Sequence, residues 1–487
     1  MSQAPAVETI DVKAVNKKEN RSLYKKREKI FPKRVAGTFR RLKWLVMSLC
    51  LAIYYLTPWL RWDRGEGVPD QAILLDMANR RFYIFFIELW PQEIYYLTGI
   101  LILSALALFL FTALFGRVWC GYACPQTVWT DVFIHVERWI EGDRGARMRL
   151  EKSSWTFDKL RKRVVKHILW VLIAIATGGA WVFYFVDAPT LMVELFTLEA
   201  GLVTYVFIGI FSATTYLLGG IAREQVCTYM CPWPRIQAAM MDHESMIVSY
   251  RGNRGEPRGK ATRKGVSREE VGLGDCIDCN QCVAVCPMGI DIRDGLQLEC
   301  IGCALCIDAC DSVMVKTGSR RGLIDYVTDA NLETGAQDRP VRPQFIRSRT
   351  VLYSALIAVV SAIMLYALLV RADGDINVLR DRNPLFVPLS DGGIRNSYTV
   401  KLINKKHERR VFRLSVEGLE GANVAIVGAF GVPNVEVDPA RVEAHRMVVV
   451  APGKSVREST DIVIVATDIF TGQRFENGTT FKGPRRR

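Results

Sequence analysis

The chain has 487 residues, 64 Lys and Arg against 50 Asp and Glu, a formal charge of +14, and half of its residues are hydrophobic. That length exceeds one domain. With no patch of interleaved basic and aromatic residues, the charge reads as membrane orientation and attraction to anionic lipid rather than nucleic-acid binding.

Residues 1–41 form a basic arm, and the polar composition of its first roughly thirty residues predicts disorder. Five apolar blocks follow, each long enough at roughly 20 residues to cross a hydrocarbon core of about 30 Å. They run from Leu42 to Leu60, Ile94 to Phe115, His167 to Val186, Leu202 to Ile221 and Val351 to Val370. The first lacks a cleavage site and is expected to stay as an anchor. Lys and Arg number 13 in residues 1–43, 4 in 61–90, 11 in 116–166, none in 187–201 and 17 in 222–350. This alternation predicts cytoplasmic placement of the N-terminus and of the second and fourth connections. The segment after the fifth block then lies outside, in the periplasm of a Gram-negative cell.

Twelve of the thirteen cysteines fall in those two connections, and the exported segment has none, which points to ligands or redox groups rather than disulfides. Cys50, alone in the first block, reads as a small apolar side chain. WCGYACPQ (119–126) and VCTYMCPW (226–233) repeat Cys-x-Tyr-x-Cys-Pro after an apolar block. If each pair lies on one helical turn, Cys120 and Cys124 share a face, as do Cys227 and Cys231. Soft thiolates suit Cu(I), zinc or an iron-sulfur cluster; buried packing is the bland alternative. Arg117 and Arg223 precede the pairs, either activating the thiols or serving as flanking charge. Val128, Trp129, Val132, Phe133, Val136 and Ile140 recur at helical spacing, predicting an amphipathic helix in the membrane interface. His135, His243 and Met230, Met240, Met241 and Met246 read as structural before they read as ligands.

Two runs are more specific. CIDCNQCVAVCP (276–287) and CIGCALCIDACD (300–311) are both C-x2-C-x2-C-x3-C, the bacterial arrangement for two [4Fe-4S] clusters. In that pattern the fourth ligand is exchanged, giving Cys276, Cys279, Cys282 and Cys310 for one cluster and Cys300, Cys303, Cys306 and Cys286 for the other. Asp311 stands where Pro is usual, which leaves the local turn open. No G-x-G-x-x-G follows a strand and opens a helix, so a nucleotide or flavin site is not expected. After the fifth block, SYTVKLIN, RVFRLSVEG, NVAIVG, HRMVVVAPG and DIVIVAT alternate in the β pattern, and about seven strands predict an immunoglobulin-like sandwich.

These residues predict an α-helical membrane protein of five transmembrane helices, with an inserted 2[4Fe-4S] ferredoxin-like domain and a C-terminal all-β immunoglobulin-like domain. Its parts are the arm (1–41), a four-helix membrane region (42–250), the ferredoxin-like domain (251–349), the fifth helix (350–371) and the exported domain (372–487).

The whole chain beyond its first thirty residues resembles the FixG/CcoG (RdxA) family of cytochrome c oxidase accessory proteins. The resemblance rests on WCGYACPQ, VCTYMCPWPR, the double ferredoxin run and RDRNPLFVPLSDGGIRNSY (380–398). It implies an inner-membrane protein that assists assembly of a cbb-type haem-copper oxidase as a cupric reductase, turning Cu(II) into Cu(I) for delivery. The expected partners are copper-delivery and oxidase assembly factors and an unidentified electron donor, with a homo-oligomer left open. Cys120, Cys124, Cys227 and Cys231 are the expected copper or terminal redox site. The alternatives are a quinol-linked electron-transfer subunit, a copper-binding assembly factor without turnover, and a third cluster on those four cysteines.

Overall fold

The computed structural model describes residues 7–16, 28–65, 68–260, 268, 270–333, 344–428 and 433–484. Among these, five helices are long and apolar enough to cross a membrane: Thr38–Trp59, Pro91–Phe115, Phe157–Val182, Leu202–Ala222 and Ser348–Leu369. The third begins ten residues before its apolar block, because Thr156 caps it by accepting from Lys159 N, and the intervening Lys and Arg are good helix formers. The fourth changes from α to π geometry at Tyr216, where Gly219 and Gly220 lie against the rings of Phe133 and Trp170. A Cβ there would approach those rings to 2.8 and 3.0 Å, so the turn needs residues without one. Gly178 likewise brings the third helix against Ser212 and the Ile208 carbonyl of the fourth.

The repeat that begins at Val128 does form one helix, Pro125–Glu141, but its burial differs from that of an interfacial helix. Val128 and Phe133 are buried, and so are Asp131, Glu137 and Glu141. Asp131 binds Arg40 at 2.8 Å and Lys43 at 3.8 Å. Glu137 binds Arg147 and, at 2.6 Å, Arg223, while Glu141 binds Lys166 at 3.0 Å and Arg163 at 3.3 Å. Burial pushes the Glu137 carboxyl up, yet Arg223 and Arg147 hold it below its ordinary value. The helix is thus an ionic hub between the first and third spans. Periodicity counts apolar residues and is blind to acids that turn inward with partners.

The chain divides into two compact units, Met1–Trp62 with Gln71–Met364, and Asp63–Asp70 with Leu365–Arg487. Residues 42–250, apart from 63–70, therefore share the first unit with 251–349. The ferredoxin-like part is framed by strands Ile247–Tyr250 and Ile324–Val327, paired antiparallel with Ile247 opposite Val327. The expectation of a disordered arm fails at residues 7–16, which strap this part. Ile10 N donates to Cys279 O at 3.0 Å, Val15 N to Gly289 O at 2.8 Å, and Asn280 Nδ2 to Ile10 O at 3.1 Å. Val7, Val12 and Ala14 pack into its core. Positions 1–6 and 17–27 of the arm lie outside the described residues. A short antiparallel sheet, Ile73–Asp76, Arg81–Ile84 and Ile87–Leu89, fills the connection after the first span and was not expected.

In the second unit, strands Asn423–Ile426, Arg441–Pro452, Gly393–Asn404 and Gly374–Arg380 form one sheet in that order, with Val387–Pro388 on Gly393–Asn404. The other sheet runs Asn434–Val437, Arg410–Glu417, Ser459–Asp468, Arg474–Lys482. Alternate residues such as Val400, Leu402, Phe412, Leu414, Ile462 and Ile464 fill the sandwich core.

Candidate metal centres

The two ferredoxin runs begin alike. In each, the third and fifth positions take positive φ: Asp278 (52°) and Asn280 (55°) in the first, Gly302 (67°) and Ala304 (57°) in the second. Such alternation turns successive amides inward as an anion-binding nest. Amides of Gln281, Gly302, Met288 and Ile290 accordingly serve the sulfurs of Cys279, Cys300 and Cys286. A short helix, Gln281–Val285, follows the first nest, and Leu305–Thr317 follows the second. Their lengths differ because Pro287 forces Cys286 into an extended conformation, whereas Asp311 lets its helix run on. The Asp311 carboxylate accepts from Gly322 N at 2.9 Å. That settles the departure at this position: the turn is replaced by helix, and Cys310 stays within it.

The thiols of the two runs gather together. Cys310 is pushed up by burial and then by Cys282, Cys279 and Cys276; Cys286 is pushed up to about 12 by burial, then by Cys303 and Cys300. Cys306 rises through burial, Cys303, Cys300 and Cys286. Cys282, Cys286, Cys300, Cys303 and Cys306 line one cavity. Burial thus disfavours the free thiolates, and a bound metal's positive charge acts in the opposite direction. Among the described residues no three His, Cys, Asp or Glu side chains stand close enough to hold a single metal ion. Ligands at the corners of a four-iron cube stand further apart than those of one tetrahedral ion, so nests and sulfurs together fit the cluster.

The four remaining motif cysteines converge, though not on single helical turns. The helix Val118–Tyr122 ends before Cys124, and the π-helix Val226–Met230 ends before Cys231. Each second cysteine is extended (ψ 128° and 121°), because the proline that follows disfavours helix at the residue before it. Burial, then Cys124 and Cys227, push Cys120 up to about 12, with Cys231 adding less; burial, then Cys124 and Cys231, raise Cys227 to about 12. Arg117 lowers Cys120, but burial outweighs it.

Arg117 has another task. It is buried and donates to the carbonyls of Leu298, Cys300 (3.1 Å) and Pro234 (2.9 Å), tying the first motif to the second ferredoxin run and to the helix after the second motif. Tyr122 Oη donates to Cys303 O at 3.3 Å. A Cβ on Gly121 would fall 2.9 Å from Ile301 O and 3.0 Å from Cys303 N, so only glycine permits this approach. Cys120 and Cys303 consequently share one buried cluster, with Cys227, Cys286 and Cys300 packed against it. The repeats are unequal, since Tyr122 is buried and Tyr229 is exposed. Gln237, which the sequence did not single out, is fully buried and accepts from Cys120 Sγ at 3.0 Å. Neither His135, set edge-on to Trp44, nor His243 enters a metal group among the described residues.

Comparison with known proteins agrees with this layout. Residues 222–329 match the family model of a 4Fe-4S dicluster domain, residues 97–146 that of a 4Fe-4S binding domain, and residues 364–484 that of the IG-like fold at the C-terminus of FixG. The nitrogen fixation protein FixG of Rhizobium meliloti is 51% identical over 497 residues, covering 96% of this chain and 95% of its own. Protein RdxB of Cereibacter sphaeroides is 53% identical, covering 95% and 98%, and protein RdxA of the same organism is 54% identical, covering 84% and 86%. The crystal structure of a FixG-related protein from Vibrio parahaemolyticus, 27% identical, covers 23% of this chain and 96% of that one, with a TM-score of 0.20. Five apolar helices, two nested four-cysteine runs and identity above one half along nearly the whole length make this chain a membrane-associated iron-sulfur redox protein that belongs to the FixG/RdxA family.

Proposed function

We propose that this protein reduces Cu(II) to Cu(I) during assembly of a cbb-type haem-copper oxidase, with copper as substrate at Cys120, Cys124, Cys227 and Cys231. Clusters bound in the two ferredoxin runs supply single electrons, typically at low potential. The observation that carries the reading is the packing of Cys120 and Cys227 with Cys303, Cys286 and Cys300 around one buried cluster. It sets one thiol of each pair, Cys120 and Cys227, in packing contact with the second run, and the Arg117 and Tyr122 bonds hold the first motif there. Sulfur ligation favours Cu(I), so thiols so placed draw the added electron onto the metal. Serine at Cys124 and Cys231 together is expected to abolish Cu(II) reduction by the dithionite-reduced protein while about eight irons per chain remain. A variant that keeps both clusters and reduces copper at the parental rate removes copper from this site.

A second reading, a third cluster on the same four thiols, is favoured by two observations. No three of them are close enough for one ion, and the 4Fe-4S family model covers Cys120 and Cys124. Iron analysis of anaerobically purified protein separates the two, with about eight irons for copper and about twelve for a third cluster.

In the same proposal the protein sits in a bacterial inner membrane with its N-terminus and cysteine runs cytoplasmic and its sandwich periplasmic, following the Lys and Arg distribution. There the sandwich would dock an assembly factor or oxidase subunit, and the electron donor would act from the cytoplasm or membrane. A reporter active only outside the cytoplasm is expected to work when fused after Arg382 and to stay silent after Gly259; the reverse pattern inverts the orientation.

A further inference from the structure

We propose that the cleft between residues 34–37, the start of the first span and the helix Pro125–Glu141 binds the phosphate of one anionic phospholipid. The cleft has a volume of about 450 Å³, and Arg34, Arg40, Arg41 and Arg138 line it with Trp44 and Trp139. No carboxylate lines it.

The acids nearby engage Arg40 and Arg138 and leave Arg34 and Arg41 uncompensated. Asp131 binds Arg40 at 2.8 Å, and Asp308 accepts from Phe39 N at 3.2 Å and Arg40 N at 2.7 Å. Arg138 gives its Nη2 to the Pro32 and Lys33 carbonyls, while its Nε is buried without a hydrogen-bond partner, 4.0 Å from Asp143 Oδ1. Among the described residues the side chains of Arg34 and Arg41 have no ion-pair partner. Positive charge is therefore concentrated and left over. Guanidinium forks match phosphate oxygens, and several around one cleft form an anion site of the kind that basic pockets at span ends make for lipid headgroups.

A phosphate alone would satisfy the charge but leave the apolar surroundings unused. Leu45 and Leu49, 64% and 56% exposed, follow Arg41 at i+4 spacing along the first span and offer an acyl chain a path. Trp44, stacked under Arg40 at 4.7 Å, and Trp139, 77% exposed, are amphipathic rings suited to headgroup depth. The ligand is therefore a diacyl lipid and not a soluble anion. Because Asp308 stands on the helix that carries Cys306 and Cys310, the lipid would brace the ferredoxin-like part at the membrane end of the first span.

Native mass spectrometry of the full-length, delipidated protein in detergent, titrated with palmitoyl-oleoyl phosphatidylglycerol, tests this. One lipid per chain is expected to bind, with Arg34→Ala/Arg41→Ala weakening it about 30-fold, at the usual contribution of one basic side chain to anionic-lipid attraction. Arg149→Ala/Lys152→Ala, which removes the same charge from exposed positions of the helix Arg144–Lys152, is expected to leave it unchanged. Parental binding by the first double variant overturns the proposal, as does equal loss in the second. Inorganic phosphate that displaces the lipid at equal concentration would make this a soluble-anion site and also overturn it. Iron content confirms that each variant is folded, and Arg41→Gln alone, expected to bind about fivefold more weakly, serves if the double variant is not.

Discussion

Serine at Cys310 is expected to remove the cluster assigned to the first ferredoxin run, although Cys310 belongs to the second. Its thiol is raised, after burial, by Cys282, Cys279 and Cys276, and it packs with them in one buried cluster. Iron should fall from about eight to about four per chain, and the low-temperature EPR spectrum of the reduced protein should lose the interaction between two clusters. Serine at Cys306 should remove the other cluster, because its foremost neighbours are Cys303, Cys300 and Cys286, ahead of Cys282. The surviving signal should therefore differ between the two variants. If both gave the same residual spectrum, the ligands would not be exchanged. Unchanged iron in both would overturn the cluster assignment.

A second large effect is expected from Glu137→Ala. Its carboxylate is 4% exposed and is shared by Arg147 and Arg223, with Lys166 at 3.9 Å. Arg147 is itself only 2% exposed, so removal of the acid leaves buried positive charges facing one another. Breaking such a pair from one side costs about 3–5 kcal/mol, a large share of the ~5–15 kcal/mol that holds a typical domain together. The variant should show a strongly lowered thermal midpoint in detergent and poor recovery of folded protein. A midpoint within a few degrees of the parent would show that these charges are solvated and the network is weak.

Where a single local rule governs, the sequence was sufficient. Four-cysteine runs state their chemistry by spacing alone, and about 20 apolar residues in a row have few other uses. The prolines after Cys124 and Cys231 also act locally, yet they were read as part of a motif and not as the reason each second cysteine leaves its helix. The inward acids of Pro125–Glu141 were hidden for a different reason. Asp131, Glu137 and Glu141 are polar in any scale, and only their distant partners make burial possible. Gln237 carried no signal at all, being one amide in an amphipathic helix whose importance comes from Cys120, 117 residues away. The strap offered a faint one: Ile10, Val12 and Ala14 alternate with Asp11 and Lys13, as an extended edge segment would, within a composition that otherwise reads as disorder.

That strap also sets an order of events during synthesis. Ile10 leaves the ribosome 270 positions before Asn280, the residue it must meet. At ~5–20 residues per second the wait is roughly 15–50 s, and it lasts through insertion of four spans. When Cys276, Cys279 and Cys282 are made, the strap that covers them already exists, while their expected fourth partner, Cys310, is still to come. The chain's own beginning is thus on hand to close over the first run as soon as that run is made, ahead of the second run.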